Sequence, residues 1–189
     1  MTRTAAVLSV LLLALLGGCA GAPGSGDRAS DSTPSVVRPS EVSADHNDTD
    51  LSYVDRMYSQ HQQVIDMVAM TANKDLSPEL AKLAARVGED RSEEMKALQG
   101  MARAWGVPPH PPDYHGNPGE LTMEQLSELY DLDGAAFEQS WTQRMTDNHL
   151  GAVAMSKAEL DDGLNLGTRE FARGLVRLLE SQVAELEGR

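Results

Sequence analysis

Apolar residues recur at steps of three and four along four long stretches of this chain, a spacing typical of amphipathic helices. The first stretch covers about 50–73, and its apolar positions follow that spacing on both sides of His61: Val54, Met57, Tyr58, Val64, Ile65, Val68 and Ala72. Asp50 stands just before them, where a short polar side chain is expected to cap a helix. The pattern therefore predicts a first helix over 50–73.

The second stretch begins with two residues typical of a helix start, Ser77 as the N-cap and Pro78 in the first turn. Its apolar positions continue at helical spacing as far as Trp105. Gly106 follows directly and is expected to end the helix. The second predicted helix therefore covers about 78–105.

Two further long helices are predicted over 134–162 and 168–187 from the same spacing. A short helix is expected around 122–130, because Thr122 and Gln125 have the spacing of a capping box. No convincing alternation of apolar and polar residues, the mark of a half-buried strand, is present. The predicted fold class is all-α.

The two halves of the chain share a sequence frame. Met57 and His61 recur as Met145 and His149, and the segment 91–95 has its counterpart at 182–186. Between the halves lies a Pro- and Gly-rich segment, 106–120, which is expected to form a crossover rather than a helix. The sequence thus predicts a domain over 50–189 with a four-helix bundle built from two duplicated helical hairpins.

Polar residues interrupt the apolar stripe of each long helix. The stripes place six of them where the helices meet: His61, Arg91, Glu94, His149, Gln182 and Glu185. Because buried polar groups need partners, we expect histidine to face carboxylate, arginine to face carboxylate and Gln182 to bridge them.

The repeated Met–His frame also suggests metal chemistry. Met57 precedes His61 by four residues, and Met145 precedes His149 likewise, so each thioether lies one turn from an imidazole on the same face. Imidazole with thioether suits copper, particularly Cu(I). The second methionine of each frame, Met67 or Met155, is expected to flank that pair. The alternative is that the methionines fill the core and that Glu94 and Glu185 satisfy the histidines.

Enzymatic chemistry finds less support. The residues three before the two histidines are Tyr58 and Thr146, whereas a di-iron carboxylate bundle needs glutamate there. No Gly-rich phosphate loop or recognisable nucleophile motif is present. We therefore predict that the protein is not an enzyme. A hydrolase or redox enzyme that uses the polar residues is the least favoured hypothesis.

The N-terminus resembles a bacterial lipoprotein signal. Arg3 precedes an apolar stretch over 5–16 that is too short to span a bilayer, and the stretch ends in the lipobox-like LLGGC. Residues 1–18 are therefore predicted to be a signal peptide and Cys19, the single cysteine, to be lipidated. Residues 19–49 are rich in Gly, Pro, Ser and Asp, which predicts a disordered tether. The expected location is the extracytoplasmic face of the cell membrane.

The charge restricts the partners. A formal net charge of −13 disfavours nucleic acid and a polybasic membrane surface, and it is compatible with attraction of cations.

The Met-x3-His frame, the following helix with a polar-x-x-Glu and the late MARAWG together resemble the DUF305 family, also called CopM-like. The resemblance covers about 50–187 and implies an exported, ferritin-like four-helix bundle with a link to copper. It matches these residues to the two half-motifs: Met57, His61, Met67 and Glu94, then Met145, His149, Met155, Gln182 and Glu185. The sequence departs from the family pattern at Gln60 and Asn148, where histidine is common, and at Arg91, where glutamine is usual. We expect all three to surround the site or to belong to the core network rather than to bind a metal.

We therefore expect a lipoprotein that binds copper or a related soft metal and buffers the ion or hands it over. The alternative is a non-catalytic structural or interaction lipoprotein of the cell envelope, in which the His–Glu network serves only the core.

Overall fold

The computed structural model describes residues 42–107 and 116–188. Over these residues it contains five α-helices, one 3-10 turn after the first helix and no strand, which confirms the all-α class. The helices are α1 (Asp48–Met70), α2 (Pro78–Ala104), α3 (Met123–Asp131), α4 (Gly134–Asp162) and α5 (Leu166–Glu187). The predictions for the signal peptide, Cys19 and most of the tether, and those for the middle of the crossover, lie outside the described residues.

The start of α1 differs from the prediction. The N-cap is Asn47, whose side chain accepts from the Asp50 backbone N–H at 3.0 Å, while the Asp50 carboxylate accepts from the Asn47 N–H at 2.7 Å. This capping box places Asp50 in the first turn, so the prediction of Asp50 as the N-cap is wrong. The capping box of Thr122 and Gln125 in α3 is confirmed.

The residues that precede α1 are attached to the helices. The Trp105 indole N–H donates to the Ser43 carbonyl at 3.0 Å, and the His46 ring stacks on Trp105 with 4.8 Å between centroids. The Asn165 side chain donates to the Ser43 and Asp45 carbonyls at 3.0 and 2.8 Å. The ordered domain therefore includes residues of the stretch predicted as tether.

Each long helix packs against the one that precedes or follows it in its half of the chain, α1 against α2 and α4 against α5. The two halves meet where α1 lies against α4. Their buried apolar side chains form two clusters. The first apolar cluster includes Tyr53, Val54, Met57, Leu98, Met101, Met155, Phe171 and Leu175. The second apolar cluster includes Val64, Met67, Leu83, Val87, Phe137, Trp141, Met145 and Leu186.

The clusters fix the directions of the helices. Along the chain, α1 and α5 pass from the first cluster to the second, whereas α2 and α4 pass from the second to the first. The helices of each sequential pair, α1 with α2 and α4 with α5, are therefore antiparallel. Among the described residues, none of the helices has both the length and the apolar character of a membrane span.

The segment before α3 is fastened to α1 by side-chain amides. Gln63 donates to the Leu121 carbonyl at 2.9 Å and accepts from the Leu121 N–H at 2.7 Å. The Gln60 amide donates to the Pro118 carbonyl at 3.1 Å. Gly151 of α4 lets this segment approach closely, since a Cβ at that position would lie 1.7 Å from the Pro118 carbonyl oxygen. The end of the crossover is therefore a packed part of the fold.

Candidate functional site

A layer of polar side chains separates the two apolar clusters. Each long helix contributes to it at the point where the helix passes from one cluster to the other. Its members are at most 4% exposed, and we call them the polar layer: Gln60, His61, Arg91, Glu94, Asn148, His149 and Gln182. The structure thus brings the predicted polar residues of all four long helices together, with Glu185 as the exception.

One side of the polar layer is closed by ionic hydrogen bonds. The Glu94 carboxylate accepts from the Arg91 guanidinium and from His61 Nε2, the latter at 3.0 Å. Arg91 Nη2 donates to the Gln182 side-chain oxygen at 2.9 Å, and Gln182 in turn donates to Asp90 at 2.9 Å. The arrangement matches the expected pairing of histidine and arginine with a carboxylate and the expected bridging by Gln182.

The other side of the polar layer is not satisfied. His149 is 1% exposed, yet its Nε2 has no hydrogen-bond partner among the described residues. The side-chain nitrogen and oxygen of Asn148 and the side-chain oxygen of Gln60 are likewise buried without a partner among the described residues. Buried polar atoms in native proteins almost always have a partner, so this side has spare capacity for a polar or coordinating ligand.

The charges in the layer are fixed by its geometry. Burial, reinforced by the Arg91 charge, lowers the pKa of His61, and Glu94 opposes this shift only in part. Burial, the Arg91 charge and His61 hold the pKa of His149 well below its usual range, and the neighbouring Gln182 side chain opposes this shift only in part. Burial by itself raises the pKa of Glu94, but Arg91 and His61 bring it below its ordinary value. At neutral pH both imidazoles are therefore uncharged, the form that coordinates metals.

The four methionines of the repeated frame lie on both sides of the polar layer. Met57 and Met155 belong to the first apolar cluster, and Met67 and Met145 belong to the second. The reason is that α1 and α4 are antiparallel. A residue one turn before the histidine therefore lies in the first cluster on α1 and in the second cluster on α4. All four side chains are buried.

Gln60 and Asn148 join α1 to α4. The Gln60 amide donates to the Asn148 backbone carbonyl at 2.9 Å as well as to Pro118. Both side chains are buried, as expected for residues of the core network.

The prediction that Glu185 belongs to this layer is wrong. Its side chain is 44% exposed and pairs with Arg86 on the surface. The buried face of α5 passes through Leu175, Leu179, Gln182 and Leu186, and Glu185 lies about a quarter turn away from the centre of that face. Leu178, on the same side as Glu185, is only half-buried, whereas Leu179 is buried.

A second buried polar group was missed by the sequence reasoning. Asp50 and Glu159, at 0% and 1% exposure, face each other where α1 begins and α4 ends. The three- and four-residue steps from His149 through Ala152 and Ser156 lead directly to Glu159, so the spacing contained the signal. The neighbouring apolar residue, Leu160, is only half-buried.

The donor set restricts the metals that fit. Among the described residues, no three His, Cys, Asp or Glu side chains lie close enough together to hold a metal ion. Glu94 occupies His61 Nε2, whereas His149 Nε2 is unpaired and thioethers flank the layer on both sides. Imidazole and thioether are donors that suit soft metal ions better than hard divalent cations.

The fold and this site define a class: all-α proteins of four long helices with a buried polar layer between apolar clusters. The sequence model of the family "Domain of unknown function (DUF305)" matches residues 50–188. The chain therefore belongs to the DUF305 family.

Solved structures share the fold. A DUF305 fragment from Deinococcus radiodurans is 23% identical, with a TM-score of 0.70, and the match covers 75% of this chain and 95% of that one. A DUF305 protein from Streptomyces coelicolor, predicted to be secreted, is 26% identical with a TM-score of 0.66, covering 73% and 89%. CopM in its Cu(I)-bound form is 22% identical with a TM-score of 0.64, covering 74% and 93%. CopM has also been solved with Cu(II) and with Ag bound. No curated protein matches the chain in a sequence comparison.

Proposed function

We propose that this protein is an extracytoplasmic lipoprotein that binds Cu(I), or a soft monovalent ion of the same kind, and buffers it or hands it over without catalysis. The observation that carries the proposal is the buried, neutral His149, whose Nε2 has no partner in the described residues. Met145 lies one turn away on the same helix, so a thioether is available to the same ion. The copper- and silver-bound states of CopM, which has the same fold, support this choice of ion.

Arg91 argues for a monovalent ion over a divalent one. Its guanidinium lies 3.5 Å from His61 Nε2 and is 1% exposed, so the polar layer already contains a fixed positive charge. Glu94 neutralises that charge, and the layer is close to neutral without metal. A divalent ion would add twice the charge of Cu(I) to this nearly neutral layer, and the desolvation cost of a buried charge without a counter-ion rises steeply with the size of the charge.

The test is titration of the purified protein with Cu(I) against a competing chelator. We expect one Cu(I) per chain, and we expect His149→Ala to weaken binding by more than roughly 100-fold, because loss of a ligand exceeds the effect of losing an outer-shell residue. His61→Ala is expected to weaken binding less, since His61 Nε2 is already bonded to Glu94. Cu(II) should bind more weakly than Cu(I).

His46→Ala provides the matched control, since His46 stacks on Trp105 outside the polar layer. Equal Cu(I) affinity for the wild type, the His46 variant and the His149 variant would refute the proposal.

The hydrogen-bonded half of the layer favours a second candidate function. Contacts from His61 through Glu94, Arg91 and Gln182 to Asp90 link three helices without a metal. On this hypothesis the protein is a structural or interaction lipoprotein, and the layer only fixes the register of the helices. It is favoured if the wild type binds Cu(I) no better than the His61→Ala, His149→Ala double variant, while that variant is less stable.

Membrane attachment is a separate part of the proposal and rests on the LLGGC sequence at the N-terminus. We expect the chain to incorporate labelled fatty acid when expressed in a bacterium with lipoprotein processing, and Cys19→Ser to abolish both the label and the membrane fraction. Retention of the label by Cys19→Ser would contradict lipidation at this residue.

We also propose that the four long helices are a ferritin-like bundle that arose by duplication of a hairpin. The repeated Met–His frame and the antiparallel order within each pair support this. Superposition of α1–α2 on α4–α5 with His61 on His149 tests it, and failure of the second helix of each pair to coincide would contradict it.

A further inference from the structure

A second buried polar group lies at the edge of the first apolar cluster and is separate from the polar layer. It joins the beginning of α1 to the end of α4 and the beginning of α5, and its members are at most 5% exposed: Asp50, Tyr53, Ser156, Glu159, Asn165 and Thr168. Tyr53 and Ser156 share a hydrogen bond of 3.0 Å between their hydroxyls. The metal-binding proposal uses none of these residues.

Asp50 is fully satisfied as an anion. Its carboxylate accepts from the backbone N–H groups of Asn47, Leu164 and Asn165 at 2.7, 3.2 and 3.0 Å. It also accepts from the Thr168 hydroxyl at 3.2 Å. These four bonds tie α1, the α4–α5 turn and α5 together. Although burial raises the pKa of Asp50, the hydrogen bonds bring it below its ordinary value.

Glu159 has the opposite surroundings. Both of its carboxyl oxygens are buried, and neither accepts a hydrogen bond from an N–H or O–H of the described residues. The charged and titratable groups that face it are Asp50 and Tyr53 from α1 and Arg169 from α5. Burial and the neighbouring Asp50 together raise the pKa of Glu159 to about 8, against which Arg169 has a smaller effect. A carboxylic acid is therefore favoured at this position at neutral pH.

We propose that Glu159 holds a proton that it donates to the Asp50 carboxylate, and that this shared proton is a latch between α1 and the α4–α5 turn. The proton satisfies Glu159, which has no donor of its own, and leaves the four bonds to Asp50 intact. Loss of the proton places two buried carboxylates against each other, which is strongly unfavourable.

The backbone around the pair explains what the latch controls. A Cβ on Gly163 would lie 2.2 Å from Glu159 Oε1, so the turn is closed tightly over this carboxyl group. Asn165, two residues after Gly163, holds Ser43 and Asp45 through its side chain. When Glu159 ionises, the turn is the element that must move, and the two bonds from Asn165 to the segment before α1 are disturbed with it, whereas the contacts of Trp105 with Ser43 and His46 remain.

The sign of the pH effect follows from the direction of each shift. The pKa of Glu159 is raised on folding. Its contribution to stability is therefore complete at a pH below the pKa of this group in the unfolded chain, and it is lost as the pH rises through about 8. Asp50 contributes in the opposite sense because its pKa is lowered on folding. Its stabilising contribution is present above the pKa of the unfolded chain and is lost only in acid. Ionisation of the pair therefore weakens the latch on the alkaline side.

The experiment compares the melting temperature of the full chain with that of Glu159→Gln between pH 5 and pH 9. The amide keeps a donor toward Asp50 and cannot ionise, so we expect the wild type to lose roughly 10 °C relative to the variant over this range. Contributions from His61 and His149 are the same in both proteins and cancel in the difference. Glu170→Gln, the same change at an exposed position of α5, should run parallel to the wild type.

A direct reading of the proton accompanies the stability curves. In protein labelled with 13C at the glutamate carboxyls, the resonance absent from Glu159→Gln should titrate with a midpoint near 8. Hydrogen exchange at the N–H groups of Leu164 and Asn165 should accelerate above this pH in the wild type alone. A midpoint near the ordinary glutamate value, or parallel stability curves for the wild type and Glu159→Gln, would overturn the shared proton. Restoration of alkaline stability by added Ca²⁺ would also overturn it, in favour of a cation between the carboxylates.

Discussion

Replacing Arg91 with alanine should lower the free energy of unfolding by about 3–5 kcal/mol, because the change leaves the buried Glu94 carboxylate without its cationic partner. Arg91 is 1% exposed, and its guanidinium bonds Glu94 and Gln182. His61, neutral by virtue of its lowered pKa, supplies only one hydrogen bond to the same carboxylate. The loss is measured by urea unfolding of the wild type and variant at pH 7.

Arg86→Ala is the matched control, since Arg86 forms an ion pair with Glu185 in which both side chains are more than 40% exposed. Surface pairs contribute less than about 1 kcal/mol, so this variant should remain close to the wild type. The double change Arg91→Met with Glu94→Leu should recover most of the loss, because it removes both buried charges. Equal losses for Arg91→Ala and Arg86→Ala would show that burial of the pair is not what makes it important.

Gly151→Ala should lower the free energy of unfolding by about 3 kcal/mol, although alanine stabilises an unobstructed helix by about 1 kcal/mol over glycine. The added methyl group would lie 1.7 Å from the Pro118 carbonyl oxygen and 3.0 Å from the Gly119 nitrogen, so backbone must move. Pro118 accepts a hydrogen bond from Gln60, and its displacement should therefore also disturb the polar layer. Denaturant unfolding measures the first effect, and the Cu(I) titration measures the second.

Gly88→Ala tests whether the effect depends on contact with backbone. Gly88 is also helical, but a Cβ there would meet only the Val68 side chain, at 3.0 Å from Cγ1. A small shift of one side chain is inexpensive, so we expect this variant to be at least as stable as the wild type. If both alanines had the same effect, the close approach of the loop to Gly151 would not matter for stability.

The helices were predictable because each is encoded locally. The apolar spacing, Pro78 and the capping box at Thr122 identified the elements, and the three- and four-residue steps placed His61, Arg91 and His149 on buried faces. On α5 the buried face is rotated by less than a quarter turn from the predicted face, and this is enough to leave Glu185 exposed. Periodicity fixes the approximate face of a helix, whereas the residues at its margins are assigned by the neighbours against which it packs.

The chemistry of the candidate site was less predictable, because it depends on which atoms face each other. The sequence treated His61 and His149 as equivalent, yet Glu94 bonds the first and the second has an unpaired Nε2. The asymmetry arises because the counterpart of Glu94 in the second half, Glu185, lies on the surface. No local pattern reports such a difference between two similar half-sites.

The sequence by itself determined the all-α class, the positions of the long helices and the presence of polar side chains in their buried faces, since these follow from spacing within one helix. Only the tertiary structure decided that Arg91 joins Glu94 to Gln182, that the methionines flank the layer from opposite clusters, and that Asp50 meets Glu159. These contacts join residues on different helices. Their energies depend on burial and on distances of a few ångströms, which are properties of the packed chain rather than of any one segment of it.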